Sequence, residues 1–346
     1  MAPLLLMAAL IAACSKEEAA PPPAAAQPEP RPEANLPLVV YATMPASRLQ
    51  PVLDAYASET GKMARLVSGD KAYSAYVAGN GSLPDADLLL VSGLGEMWQL
   101  AEMDRFRPTY SESIDSNIPS VYRDAESRWT ALGTNARIVV YNQELVDVDA
   151  IGSVEAYAAL GDEQWRGRLC LSSSQVPGNQ ALVAFLIRQQ NVRDAEILVR
   201  SWRANLATSI FANDSELIKA IAGGQCAIGI AGSDALSNYL SGNAGAPVAP
   251  HQFSDPESIL VDASGGGVAR HAHNPDDAAD LLAWLTSSAP NALWAAQNQE
   301  FPANVDAPLS RPVEAWRDMV AAPVSMSALG FLYEDAVLLV ERARYP

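Results

Sequence analysis

The chain has 346 residues, 49% of them hydrophobic, so it can bury a large core, and it is longer than one core usually organises. Forty acidic residues against 23 basic give a net charge of −17, which excludes nucleic acid and other polyanionic partners, because their binding rests on clustered Lys and Arg. A globular protein of two lobes is expected.

The opening MAPLLLMAALIAAC is a short apolar run that closes on Ile11, Ala12, Ala13 and Cys14, and residues 1–14 read as a leader. A membrane-spanning helix needs about 20 apolar residues, and this run falls far short. Small residues just before a cysteine resemble a bacterial lipobox, which makes Cys14 the candidate lipidated residue and first mature residue. Residues 15–37, rich in Pro, Ala, Gln and Glu, cannot pack a core and read as a partly extended tether. The folded part then begins near Leu38.

Leu38 to Tyr41 reads as a strand, and Arg48 to Ser58 as a helix with apolar residues at helical spacing, closed by Glu59-Thr60-Gly61. Asp87 to Val91 is a second apolar strand, followed by a helix around Glu96 to Met103 and a polar segment to Trp129. Arg137 to Asn142 is a β-branched strand with a charge at one end and a tyrosine, Tyr141, near the other. Ser153 to Leu160 reads as a short helix. Strands alternating with helices imply a largely parallel sheet.

The stretch from Trp165 to Arg188 carries the clearest functional signal. Leu169 to Leu171 reads as a strand and Asn179 opens an apolar helix, with Ser172, Ser173 and Ser174 between them. Hydroxyls and backbone N–H groups at a helix mouth, with the dipole behind them, can cradle an anion. The same pattern also suits an ordinary strand-to-helix turn with Asn179 or a serine as N-cap. Further on come a helix from Arg193 to Asn205, a helix capped by Asp214 or Ser215 and ended by Gly223-Gly224, and a strand from Cys226 to Ala231 leading to Gly232-Ser233-Asp234. Ser258 to Asp262 reads as a strand. Helices follow at Asn274-Pro275, Asn291 to Gln297, Val313 to Met319 and Tyr333 to Arg342.

No Walker-type loop, HExxH or Gly-x-Ser-x-Gly occurs, and His271 and His273 have no third ligand nearby, so no enzyme activity is expected.

The blocks VVYATMPASRLQPVLDAYASETG, RDAESRWTALGTNARIVVYN, WRGRLCLSSSQVPGNQALVAFLI, IKAIAGGQCAIGIAG and SGGGVARHAHNPDDAADLLAWLTSSAPNALWAAQNQEFPANV, in this order, resemble the ferric-iron-binding, transferrin-like substrate-binding proteins of bacterial ABC importers. The resemblance implies a two-lobed α/β fold of the type II periplasmic-binding class with a ligand cleft between the lobes. It also implies crossings near Gly133 to Tyr141 and Ile259 to Ser264. Lobe 1 would be 38–136 with 263–308, and lobe 2 would be 137–262 with 309–346. The partners would be a permease and an ATPase at the periplasmic face of the envelope, with Cys14 holding the protein to the membrane.

Residue by residue, the resemblance assigns ligand binding to Arg137, Ser172, Ser173 and Ser174, and metal ligation to Tyr141. Other family positions are replaced: the N-terminal histidine by Pro45, an acidic position by Val91-Ser92-Gly93, and a tyrosine pair by Ser233-Asp234-Ala235, which leaves Asp234 as the oxygen donor there. The cargo so implied is Fe(3+) with a synergistic anion, although hard ferric ion wants more anionic oxygens than one tyrosine and one aspartate supply. The alternatives are a metal-free anion or small solute in the same cleft, or another envelope protein as partner. A charge amid Ile138, Val139 and Val140 needs a counter-charge, from an anionic ligand or from a structural Asp or Glu. The resemblance also sets the strands of Cys170 and Cys226 side by side. A Cys170–Cys226 bridge is then possible, although free thiols are the more expected outcome because paired parallel strands seldom offer disulfide geometry.

Overall fold

The computed structural model describes residues 37–69, 86–317 and 326–346; Cys14, the tether to Leu36 and part of the expected Val313 to Met319 helix lie outside them. Among the described residues nine strands form one sheet: β1 Leu38–Ala42, β2 Ala64–Ser68, β3 Leu88–Val91, β4 Thr130–Asn142, β5 Leu169–Cys170, β6 Ile228–Gly232, β7 Val248–His251, β8 Val261–Val268 and β9 Phe301–Pro302. The main path runs β2-β1-β3-β8-β4-β6-β5, with β7 and β9 also paired to β4.

The sheet is mixed, which corrects the expectation of a largely parallel one. β1 lies parallel to β2 and β3, and β5 parallel to β6, as βα connections demand. β8, however, runs antiparallel to both β3 and β4, and β4 antiparallel to β6. β4 changes neighbours in mid-strand: Thr130 to Ala136 pair with β8, and Arg137 to Tyr141 pair with β6. β4 is thus antiparallel to each of its neighbours, β6, β7, β8 and β9.

The strand around the second crossing also begins later than the sequence suggests. It runs from Val261 to Val268 and takes in the glycine run at 265–267. A Cβ on Gly266 would lie 1.8 Å from the Leu89 carbonyl oxygen, so only glycine lets β8 sit between β3 and β4 here.

The helices follow their apolar spacing. Ala46–Thr60 buries Leu49, Val52, Leu53 and Tyr56 and stops at Gly61 in the left-handed conformation at φ 74°. Pro177–Gln189 starts with proline in its first turn and is apolar almost all round, because it is covered on several sides. The segment expected as a helix from Ser153 to Leu160 is instead a helix at Val148–Gly152 followed by a 3-10 turn at Tyr157–Gly161.

Cys170 and Cys226 form a disulfide, with Cα atoms 5.9 Å apart. Parallel pairing disfavours a bridge where both cysteines sit in the ladder. Cys170 does, paired in register with Gly229, but Cys226 lies before β6 begins, free of the pleat. Closing a loop across a sequence separation of 56 residues adds roughly 4 kcal/mol, chiefly by restricting the unfolded chain.

Candidate functional site

The change of partner along β4 puts Arg137 at the C-terminal end of β6, where its register partner is Gly232. Its guanidinium is 2% exposed and pairs with Asp214 Oδ2 at 2.5 Å, while a second nitrogen donates to Asn179 Oδ1. Asp214 collects further donors from the Ser172 hydroxyl at 2.6 Å and the Gly232 N–H at 2.9 Å. Burial alone would raise the Asp214 pKa, but the Arg137 charge and these hydrogen bonds outweigh it and hold the carboxyl below its usual range. The helix Asp214–Ala222 is capped by Asn213, whose Oδ1 accepts from the Glu216 N–H. The sequence reading gave the cap to Asp214 or Ser215; with Asn213 in that role, the Asp214 carboxylate turns inward to Arg137.

The serine loop is filled by the chain itself. Asn179 Nδ2 donates to the Ser172 hydroxyl and to the carbonyls of Ser172 and Ser173. The Ser173 N–H goes to the Phe211 carbonyl, the Ser174 N–H to the Pro346 carbonyl, and the Tyr345 hydroxyl to the Ser172 carbonyl. Ser172 and Ser174 are buried. Arg137 and the three serines therefore do come together, but around Asp214 and the chain's own C-terminal residues. In this arrangement the Arg137 fork is engaged by a carboxylate of the chain itself, which leaves it little for a solute.

Tyr141 is not brought to them. It pairs with Ile228 at the start of β6 and with Ala249 of β7, four residues along β4 from Arg137, or about 13 Å at ~3.3 Å per residue. Four steps of strand therefore separate the two residues that the resemblance assigned to ligand and metal.

Asp234 does stand at the meeting of the half-sheets, in the first turn of the helix Ser233–Gly242. That helix is pinned at its start, because Ser233 Oγ accepts from the Ala136 N–H of β4. Asp234 is half-buried. Burial raises its pKa first, then the Asp214 charge, while Arg48 and Arg137 act in the opposite sense. Two more carboxyls lie close by. Asp262 of β8, 2% exposed, accepts from the Leu94 and Ala263 N–H groups, and burial pushes it up to about 6. Glu300 is pushed up to about 8, mainly by burial, although the Ser264 hydroxyl and Trp294 Nε1 donate to it. Gly133 leaves room for Glu300, since a Cβ there would come within 2.0 Å of Glu300 Oε2.

Across this seam Ser237 Oγ donates to Gln299 Oε1 at 2.9 Å. Sequence reasoning missed Arg48, Asp262, Gln299 and Glu300, because each sits in an ordinary helix turn or strand end and only the fold gathers them. Among the described residues, no group of three or more His, Cys, Asp or Glu is placed to hold a metal ion.

The family model for bacterial extracellular solute-binding proteins matches residues 68–321. Iron uptake protein A1 of Synechocystis sp. is 27% identical over 303 residues, covering 83% of this chain and 81% of that protein. The structure of FutA (IdiA) from Trichodesmium, in complex with iron and citrate, has a TM-score of 0.80 at 26% identity, over 89% of this chain and 99% of that one. An open conformation of ferric iron-binding protein A from Mannheimia haemolytica shares the fold at TM-score 0.79 and 23% identity, over 89% of this chain and 98% of that one. The α/β sheet with its shared central strand is thus the two-lobed fold of such proteins, and the resemblance drawn from the ordered sequence blocks holds. The chain belongs to the bacterial extracellular solute-binding proteins, a family of binding proteins and not of enzymes.

Proposed function

We propose that the protein is the periplasmic receptor of an ABC importer for iron, and that it takes ferric iron already wrapped in an anionic chelator. One observation carries the second half of this reading: among the described residues no group of three or more His, Cys, Asp or Glu is placed to hold a metal ion, so the cargo brings most of its own oxygens. Its iron-uptake relative and the iron- and citrate-bound neighbour support the first half. The lobes would be 38–136 with 263–308 and 137–262 with 309–346, meeting where β4 changes neighbours between Ala136 and Arg137. Asp234, at that meeting point, is the protein's contribution to the metal, and a permease with its ATPase receives the cargo.

Equilibrium dialysis with ferric citrate, followed by elemental analysis, tests this. Iron retained about one to one with the protein is expected, weakened about tenfold in Asp234→Asn and unchanged in Tyr141→Phe. No retained iron would reject the proposal, and a loss confined to Tyr141→Phe would restore a phenolate site. A second reading, a metal-free organic anion as ligand, is favoured by the half-buried cation Arg48 beside this seam; retention of citrate without iron would support it.

Cys14, outside the described residues, would carry the lipid that holds the receptor to the membrane, a reading supported by the Ile-Ala-Ala-Cys sequence. Metabolic labelling with palmitate is expected to mark the wild type and not Cys14→Ser. Equal labelling of both would remove the anchor.

A further inference from the structure

β4 and β8 pair for the last time at Ala136 and Val261, just before β4 turns to β6. One residue further, an antiparallel ladder would have Arg137 and Leu260 exchange two N–H···O bonds. Only one of them is direct: the Arg137 N–H donates to the Leu260 carbonyl at 2.9 Å. The return bond runs through a side chain. The Leu260 N–H donates to the Tyr157 hydroxyl at 3.1 Å, and that hydroxyl donates to the Arg137 carbonyl. A phenol is thus wedged into the ladder where the chain passes from one half-sheet to the other.

The ring behind the hydroxyl is fixed to the second half-sheet. Tyr157 is 1% exposed and stands edge-on to Phe185 at 6.4 Å and to Phe253 at 5.1 Å, and its own carbonyl accepts from Trp202 Nε1 at 3.0 Å. Phe185 belongs to the helix Pro177–Gln189 and Trp202 to the helix Val192–Ala204. Burial raises the Tyr157 pKa, so the phenol stays neutral and can donate and accept at once. Arg137 and Leu260 are buried too, and their peptide groups need partners at all times. A direct rung weakens steeply as its angle changes, whereas a hydroxyl set between the two groups can turn to meet both while the strands twist.

We propose that the Tyr157 hydroxyl is the pivot on which the two half-sheets turn: it keeps the Arg137 carbonyl and the Leu260 N–H joined through opening and closing, while its ring stays seated between Phe185 and Phe253. Tyr157 is a positioning residue in this role, which requires the two-lobed fold and no particular cargo.

Hydrogen exchange and small-angle X-ray scattering on the full unliganded chain, as wild type, Tyr157→Phe and Phe253→Leu, test it. Tyr157→Phe keeps the ring and leaves two peptide groups without their shared partner, and water reaches them best when the halves stand apart. The Leu260 amide is expected to exchange about tenfold faster, with the amides of Leu182 to Ile187 unchanged and the radius of gyration increased. Phe253→Leu loosens the packing around the ring but spares the hydroxyl, and is expected to keep the wild-type radius. A wild-type radius in Tyr157→Phe, exchange quickened evenly along its chain, or an equal expansion in Phe253→Leu would each overturn the pivot and leave the receptor reading standing.

Discussion

Arg137→Ala is expected to destabilise the protein by about 4 kcal/mol, because it strands the Asp214 carboxylate in the interior with the charge that balanced it removed. The loss reaches beyond one contact. Asp214 ties together β4 through Arg137, the serine loop through Ser172, and the end of β6 through the Gly232 N–H, so an uncompensated charge there loosens the footing of the Asp234 helix. Since the folded-state pKa of Asp214 lies below its usual value, its contribution is present at neutral pH and is lost as the pH falls through that lowered value. Replacing both partners with apolar residues of similar size should recover much of the loss. Urea titrations of the single and double variants check this. If Arg137→Ala unfolded like wild type while binding solute more weakly, the guanidinium would be a ligand contact after all.

Glu300→Gln is expected to stabilise the protein strongly at alkaline pH. The carboxyl titrates near 4.5 in an ordinary setting and at about 8 when buried beside Trp294. The folded state thus binds the extra proton throughout that window, and stability falls as the pH rises through it. At about 1.4 kcal/mol per pH unit, the gap makes roughly 5 kcal/mol in favour of the amide above pH 8, and almost nothing near pH 4.5. A glutamine carbonyl can still accept from the Ser264 hydroxyl and Trp294 Nε1, so the hydrogen bonds survive the change. Melting temperatures of the two proteins between pH 5 and 9 should diverge steadily; parallel curves would mean that Glu300 ionises without cost.

The fold was legible where periodicity is long and caps are clear: Tyr333–Arg342 runs as its sequence suggests, and Ala46–Thr60 stops at its glycine. The mixed sheet was not, since apolar runs such as 138–140 carry no sign of strand direction, and β4 extends back to Thr130 through residues too polar to look like a strand. At the site, the signal in Arg137 was real but ambiguous. A buried arginine announces a counter-charge without saying whether the chain or a solute supplies it, and Asp214 sits 77 residues away in what looks like a helix cap. Arg48 and Glu300 gave no local sign at all, because their meaning arises from two half-sheets meeting.

The bridge between Cys170 and Cys226 joins the β5 strand to the chain just before β6, which are neighbours only in the assembled second half-sheet. The described residues hold two cysteines, so only one intramolecular pairing exists among them, and no wrongly paired isomer of that folded part can form. Biogenesis of this part would need an oxidant to draw two electrons from the thiols but no catalyst to reshuffle them.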